Sequence, residues 1–446
     1  MEYVKLGYLV DLKQGIAINS KSNHLVSKVE TDLPLLRIAD MPTKARVVFM
    51  NKQTPAKFIA NKDDIIYTRT GKVGLVFRNQ FGVVHNNCFR IIPFSEQILN
   101  KGYLYWYLKL KSIYNFVNSI ASGVAQPDLP HTIFKKIKVW LPNLEVQKSI
   151  SSVLDKYDEL IENNNKRIKI LEQMAENLYK EWFVRFRFPG YENAEFENGI
   201  PKRWAKEKIS VYYNTTSGGT PSRNNMQYYE NGTIPWLKTG ELNDTIIMET
   251  EEHITEEAMK KSSAKYLPAN VIAMAMYAGN NVGKLGYLDI EMTCSQACCV
   301  FMDRRNFSSK HYLFHYLRSI REYLQSISFG AAQQNISQDL IKKVNIIMPS
   351  DEIVKCFEKH IQTLYNQTKL LIKQNMNLIK QRDLLLPRLM SGKLEVVQRT
   401  ADEPKAKIIS FEEFVSKMGL AARAKSISDS DLRAMYEAYL DDDATE

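Results

Sequence analysis

Two stretches of the chain carry largely apolar residues at a seven-residue spacing, and each predicts a long helix with a continuous seam. In the first, Ile150, Tyr157, Asn164, Leu171 and Leu178 form one series, and Leu154, Ile161, Ile168, Ala175 and Trp182 the other. In the second, the series are Phe357, Leu364, Leu371, Leu378, Leu385 and Ile361, Thr368, Asn375, Arg382, Leu389, so a shift of 207 residues carries one helix onto the other in register. Pro189-Gly190 bounds the first pattern, and Pro387 followed by Gly392 bounds the second. Rods of roughly 40 residues and about 60 Å are expected. A seam of this kind must be buried, either against its internal twin or against its own globular half. Antiparallel pairing of the twins is the expectation, through Leu154, Ile161, Asn164, Ile168, Leu171 and Leu178 on one side and Leu364, Leu371, Asn375, Leu378 and Leu385 on the other. Asn164, Thr368, Asn375 and Arg382 cost stability inside such a seam, and buried polar residues of this kind fix register and orientation.

The shift of 207 is not confined to the helices. Ser119 to Pro142 reads SIASGVAQPDLPHTIFKKIKVWLP and Ser326 to Pro349 reads SISFGAAQQNISQDLIKKVNIIMP, aligned without a gap. Upstream, Tyr103 to Lys109 matches Tyr312 to Arg318, Gly71-Lys72-Val73-Gly74 matches Gly283-Lys284-Leu285-Gly286, and Leu33 to Arg37 matches Ile234 to Lys238. A repeat in conserved order is a duplicated module. Its short β-rich runs, at Asp64–Thr68, Val83–Val84, Val271–Met274 and Lys342–Met348, are punctuated by Gly, Asn and Pro, and the aromatic segments read as helices packed on those strands. The expected architecture is a duplicated α/β (α+β) domain, each copy followed by a long helix. The divisions fall at 1–143, 144–188, 189–349, 350–392 and a tail at 393–446, within which short helices are expected at Phe411–Met418 and Asp431–Leu440.

Charge sharpens this picture. The net charge is +10, yet from Thr400 onward eleven acidic residues face six basic ones, a net of −5, which leaves +15 on the preceding residues. A basic body attracts a phosphate backbone, and an acidic end is repelled by one, so the tail suits protein contact or solvent. Five cysteines, an odd number, fit reduced thiols, and neither a leader-like start nor a long apolar run is present; a cytoplasmic protein that does not enter a membrane is expected. Catalytic signatures are missing: there is no Pro-Pro pair of the kind that holds a flipped base in DNA methyltransferases, and no phosphate-cradling Gly-x-x-x-x-Gly-Lys-Ser/Thr loop. Cys294, Cys298 and Cys299 lack a Cys-x-x-Cys spacing or a nearby histidine and read as small buried residues rather than metal ligands.

Ser217-Gly218-Gly219-Thr220-Pro221-Ser222, Tyr228-Tyr229, Gly232 and Ile234-Pro235-Trp236-Leu237-Lys238-Thr239-Gly240-Glu241-Leu242, with the Gly-Ala-Gln segment closing each half and the long helix behind it, resemble the specificity subunits (HsdS) of type I restriction-modification systems. The resemblance covers about residues 1 to 395; the first half departs from it by lacking the Gly-Gly-Thr-Pro run. It implies two target-recognition domains that each read one half of a bipartite double-stranded DNA site, with the helices as spacers. It also implies assembly with two methyltransferase subunits (HsdM) and with restriction subunits (HsdR). No cofactor is then expected on this chain; S-adenosylmethionine, ATP and Mg belong to the partners. Basic side chains pair with guanine edges and amides with adenine, and small residues allow close approach to a groove. The candidate DNA-binding residues are Arg69, Lys72, Asn86, Asn87 and Gln126 in the first half, and Thr220, Arg223, Lys238, Asn280, Asn281, Lys284, Gln333 and Gln334 in the second. Turn-forming or phosphate-contacting roles are the alternative for each. For the chain as a whole, the alternatives are a coiled-coil scaffold with duplicated protein-binding domains and a divergent enzyme acting on DNA.

Overall fold

The computed structural model describes residues 3–121, 127–277, 281–328, 335–394 and 396. The described residues form two compact units, one built from those up to Val153 together with those from Leu385 onward, the other from those within Leu154–Leu384. Each holds a mixed α/β half. In the first, strands Val10–Gln14, Cys88–Pro93, Ile65–Thr68 and Val76–Phe77 lie side by side in that order. In the second the order is Tyr213–Ser217, Cys298–Asp303, Val271–Ala275, Leu285–Leu288 and Thr245–Ile247.

The duplication extends to individual backbone pairs. Gln14 faces Phe89, Thr68 faces Cys88 and Val76 faces Tyr67; their counterparts are Ser217 with Cys299, Ala275 with Cys298 and Leu285 with Met274. The aromatic helices Lys101–Leu108 and Lys310–Ser319 pack on this frame with their rings buried, apart from the half-buried Tyr316. Tyrosine hydroxyls that would otherwise be orphaned donate to strand carbonyls: Tyr103 to Trp140 at 2.7 Å and Tyr107 to Lys138 at 3.0 Å, matched by Tyr312 to Ile347 and Tyr316 to Asn345. The expected strand from Lys342 is shorter than its apolar run suggests. Gln338–Lys343 is a helix capped by the Ser337 hydroxyl, and the strand begins at Asn345.

The long helices span Leu144–Tyr179 and Asp351–Met390. The second runs through Pro387, which forfeits one main-chain bond close to the helix end, and it closes at Gly392 with φ 62°, where the Lys393 and Leu394 amides donate to the Arg388 carbonyl. Within the second unit the helices pair antiparallel. Arg382 Nη1 donates to Asp158 at 2.6 Å and Asn164 Nδ2 to Asn375 Oδ1 at 3.0 Å, so one helix advances as its partner retreats. Asn375 also donates to Asn165 at 2.9 Å. None of the seam residues is exposed. Both burial modes operate, because Ala175, Trp182, Phe357 and Ile361 join the core of the second half while Asn164, Thr368, Leu371 and Asn375 are buried along the rod. Among the described residues no helix is long and apolar enough to cross a membrane.

The asparagine bonds make a direct prediction. Asn375→Ala strands the buried Asn164 amide and should cost about 1–3 kcal/mol, whereas leucine at both 164 and 375 should recover most of that loss while loosening register. Equilibrium denaturation of the two variants measures this. An Asn375→Ala midpoint equal to that of the parent would refute it.

Candidate nucleic-acid interface

In each half the described candidate residues lie on loops at the same end of the sheet. In the first, Gly15 follows one strand, Arg69 to Gly74 link two others, and His85 to Asn87 precede Cys88. These loops are tied by their backbone. The Gly15 amide donates to the Cys88 carbonyl at 3.1 Å, Ile16 to Val84 at 2.8 Å, Asn86 to Ile16 at 2.9 Å and Arg69 to Asn87 at 2.8 Å. A Cβ on Gly15 would lie 2.3 Å from the His85 carbonyl oxygen, so only glycine fits there. Arg69 is engaged on all three nitrogens: Nε and Nη2 donate to the Asp128 carboxylate at 3.1 and 2.7 Å, and Nη1 to Gln14 at 3.2 Å. Asp128 also accepts from the Thr70 hydroxyl at 2.6 Å, and these bonds, the Arg69 guanidinium first, hold its carboxyl below the usual range. Lys72 is exposed, Asn86 and Asn87 half-buried, and none of these three side chains has a charged or amide partner among the described residues.

The second half repeats the frame with more glycine. Gly219 N donates to Cys294 O at 2.9 Å, as Ile16 N does to Val84 O, which makes Gly218 the counterpart of Gly15. A Cβ on Gly218 would fall 1.8 Å from the Cys294 carbonyl oxygen, and one on Gly219 would fall 2.4 Å from the Ser263 carbonyl carbon. Two aromatic residues lock the loop that follows: Trp236 Nε1 donates to the Gly219 carbonyl at 3.0 Å and the Tyr229 hydroxyl to the Pro221 carbonyl at 2.6 Å. The Thr220 hydroxyl donates to Gln296. Arg223 lies over the rings of Tyr229 and Trp236, 4.4 and 4.8 Å from their centroids, and Nη1 reaches Glu252 at 2.5 Å. Lys238 Nζ meets Glu251 and Glu252, each at 2.9 Å. The Arg223 hydrogen bond, assisted by Lys238, depresses the Glu252 carboxyl, and Glu251 with Glu252 raises Lys238, so Glu252 and Lys238 stay ionised near neutrality. Lys284 and Asn281 share the loop before Leu285, the Lys284 amide donating to the Asn281 carbonyl at 2.9 Å.

Hydrogen-bond register corrects one alignment made from sequence. Gly74 N donates to Thr68 O and Gly283 N to Ala275 O, while Thr68 N and Ala275 N donate to Leu75 O and Lys284 O. Gly74, with φ 90°, is therefore the counterpart of Gly283, with φ 82°, and Lys72 is not the counterpart of Lys284. The local Gly-Lys-x-Gly likeness is offset because the two loops differ in length. Likewise Leu129 N donates to Arg69 O as Ile336 N does to Met276 O, so the ion-paired Arg69 stands where the second half has a core methionine that is 3% exposed. Gln126, Asn280, Gln333 and Gln334 lie outside the described residues. Sequence reasoning missed Gly15, Asp128, Glu251 and Glu252. A lone glycine after an alternating strand was the signal for Gly15, whereas Glu252 reaches Lys238 only through the pairing of its strand with that of Trp236.

Comparison with known proteins places this architecture. The family model for the type I restriction modification DNA specificity domain matches residues 1–173 and 201–381, one match for each half with most of the long helix behind it. The MjaIX specificity subunit of a type I restriction enzyme from Methanocaldococcus jannaschii is 28% identical over 342 residues, covering 75% of this chain and 78% of that protein. The HindI specificity subunit from Haemophilus influenzae is 24% identical over 408 residues, covering 76% of this chain and 88% of that protein. The crystal structure of the type I restriction-modification S subunit from M. genitalium shares the fold, with a TM-score of 0.54 at 15% identity over 90% of this chain and 96% of that one. With both halves and the helices between them accounted for, the chain belongs to the family of type I restriction-modification DNA specificity subunits.

Proposed function

We propose that this chain supplies sequence specificity to a type I restriction-modification complex by reading a bipartite duplex, one half-site for each recognition half, while its partners carry the chemistry. The observation that carries the reading is the twice-built sheet end, matched at several backbone bonds, from which basic and amide side chains project. In this arrangement Lys72 and Lys284 are suited to guanine edges or phosphates, and Asn86, Asn87 and Asn281 to adenine. Arg69 holds loops together, since its guanidinium is already engaged. Two HsdM subunits would bring S-adenosylmethionine, and HsdR subunits would bring ATP and Mg. Exposed apolar residues along the paired helices, Leu160, Ile170 and Met174 on one and Leu370 and Leu384 on the other, support docking of partner helices there.

Reconstitution tests the reading. The purified chain alone should show no methyl transfer, cleavage or ATP hydrolysis, and adding the methyltransferase subunit should yield S-adenosylmethionine-dependent methylation at sites with two fixed halves and an unspecified gap. Methyl transfer by the isolated chain, or methylated sites sharing no bipartite pattern, would overturn it.

A further inference from the structure

Arg223 and Lys238 come from separate elements, yet one carboxylate holds both. Glu252 lies directly opposite Trp236 on the neighbouring antiparallel strand, so its side chain reaches the residue two places beyond Trp236 and the Arg223 loop together. Arg223 is 50% exposed, which for an isolated surface cation would mean a mobile side chain and a weak ion pair. Here its guanidinium is gripped by the Glu252 carboxylate and by two ring faces that are themselves bonded to the Gly219 and Pro221 carbonyls. Nη1 is occupied, while Nε and Nη2 have no partner among the described residues. Their parallel N–H groups form the fork that fits O6 and N7 of guanine.

The charges support the same reading. Two cations and two carboxylates make a cluster of no net charge, which adds little to the attraction for phosphates. What it adds is orientation. Among its described residues the first half lacks this device: Ser295 N bonds to Leu237 O as His85 N bonds to Leu36 O, so Arg37 is the counterpart of Lys238, and Arg37 pairs locally with Asp40 at 2.5 Å.

We propose that Glu252 is a specificity-determining positioning residue of the second half, fixing Arg223 so that its free fork reads a guanine in that half-site rather than pairing with backbone phosphate. The inference rests on the reading of this half as a DNA-recognition module.

The test uses the chain assembled with its methyltransferase subunit, comparing the parent with Glu252→Gln and Arg223→Lys. Binding is measured on the cognate duplex, on duplexes with each base pair of both half-sites changed in turn, and on unrelated duplex over a range of salt. Glu252→Gln should lower discrimination at one G·C pair by roughly ten- to a hundredfold and leave the other half-site unchanged. It should also bind unrelated DNA more tightly at low salt, with a log–log salt slope steeper by about one. Arg223→Lys should lose discrimination at the same pair. A merely structural role would lower the thermal midpoint and weaken all sequences alike; that result, or full discrimination in Glu252→Gln, would overturn the proposal. Should Glu252→Gln fail to assemble, Arg223→Lys decides, since retained discrimination at every G·C pair sinks the idea. A parent complex with no bipartite preference would overturn the functional reading and this inference with it.

Discussion

A complex whose long helices are each lengthened by one heptad, between Ile168 and Lys169 and between Leu370 and Leu371, should methylate the same two half-sites across a gap longer by about three base pairs. Seven residues add about 10 Å of rod, and stacked base pairs repeat at about 3.4 Å. The insertion points fall opposite each other in the antiparallel seam, clear of the Asn164–Asn375 bond, so an insert that repeats the apolar spacing preserves both seam and register. The added base pairs also rotate one half-site about the duplex axis, by roughly a quarter turn at about 10.5 pairs per turn, so affinity should fall even where the spacing is right. Lengthening only one helix should abolish assembly of the seam rather than alter the gap. Mapping methylated sites across a genome reads the outcome. An unchanged gap in an active, correctly assembled complex would refute the spacer role of the helices.

Among the described glycines of the second half, Gly218→Ala should be the most damaging single substitution. The new Cβ would sit 1.8 Å from the Cys294 carbonyl oxygen, a backbone atom that cannot swing aside without displacing the strand Thr293–Cys294. Overpacking of this severity costs about 3 kcal/mol or more, which for a unit of this size lowers the midpoint by roughly 6–12 °C. Gly15→Ala should do the same to the first unit, since its Cβ would meet the His85 and Val84 oxygens at 2.3 and 2.4 Å. Gly240→Ala is the control, because nothing lies within 4 Å of its Cβ position and its φ is not positive. Calorimetry on the three variants distinguishes close approach from a general intolerance of alanine. A Gly218→Ala midpoint within about 2 °C of the parent would contradict the packing argument.

How much of this could be read from the chain depends on whether a feature is local. The seam was legible because seven-residue spacing is a property of consecutive residues, and so was the duplication, through the aromatic helices and the Gly-Ala-Gln segments. Polar seam positions were visible too, but their partners were not: that Asn375 bonds both Asn164 and Asn165 follows from antiparallel register. At the candidate interface, loop composition picked out residues that the fold gathers at one end of each sheet. It could not show that Arg69 is engaged by Asp128, 59 residues away, because the two meet only when separate loops are stitched by the Arg69 and Leu129 backbone. The slipped match of Gly71 with Gly283 has the same origin. Identical letters aligned, while the hydrogen bonds align Gly74 instead.

The exchange of Arg69 for Met276 makes the twin readers unlike in temperament. One loop junction is braced by a partly exposed ion pair, the other by buried apolar contact. Dissolved ions weaken the first brace and leave the second untouched, or even tighten it when the salt is one excluded from protein surfaces. A duplication that copied the frame so faithfully therefore left its two copies answering to different solvents, and changing ionic conditions will slacken one reader before the other.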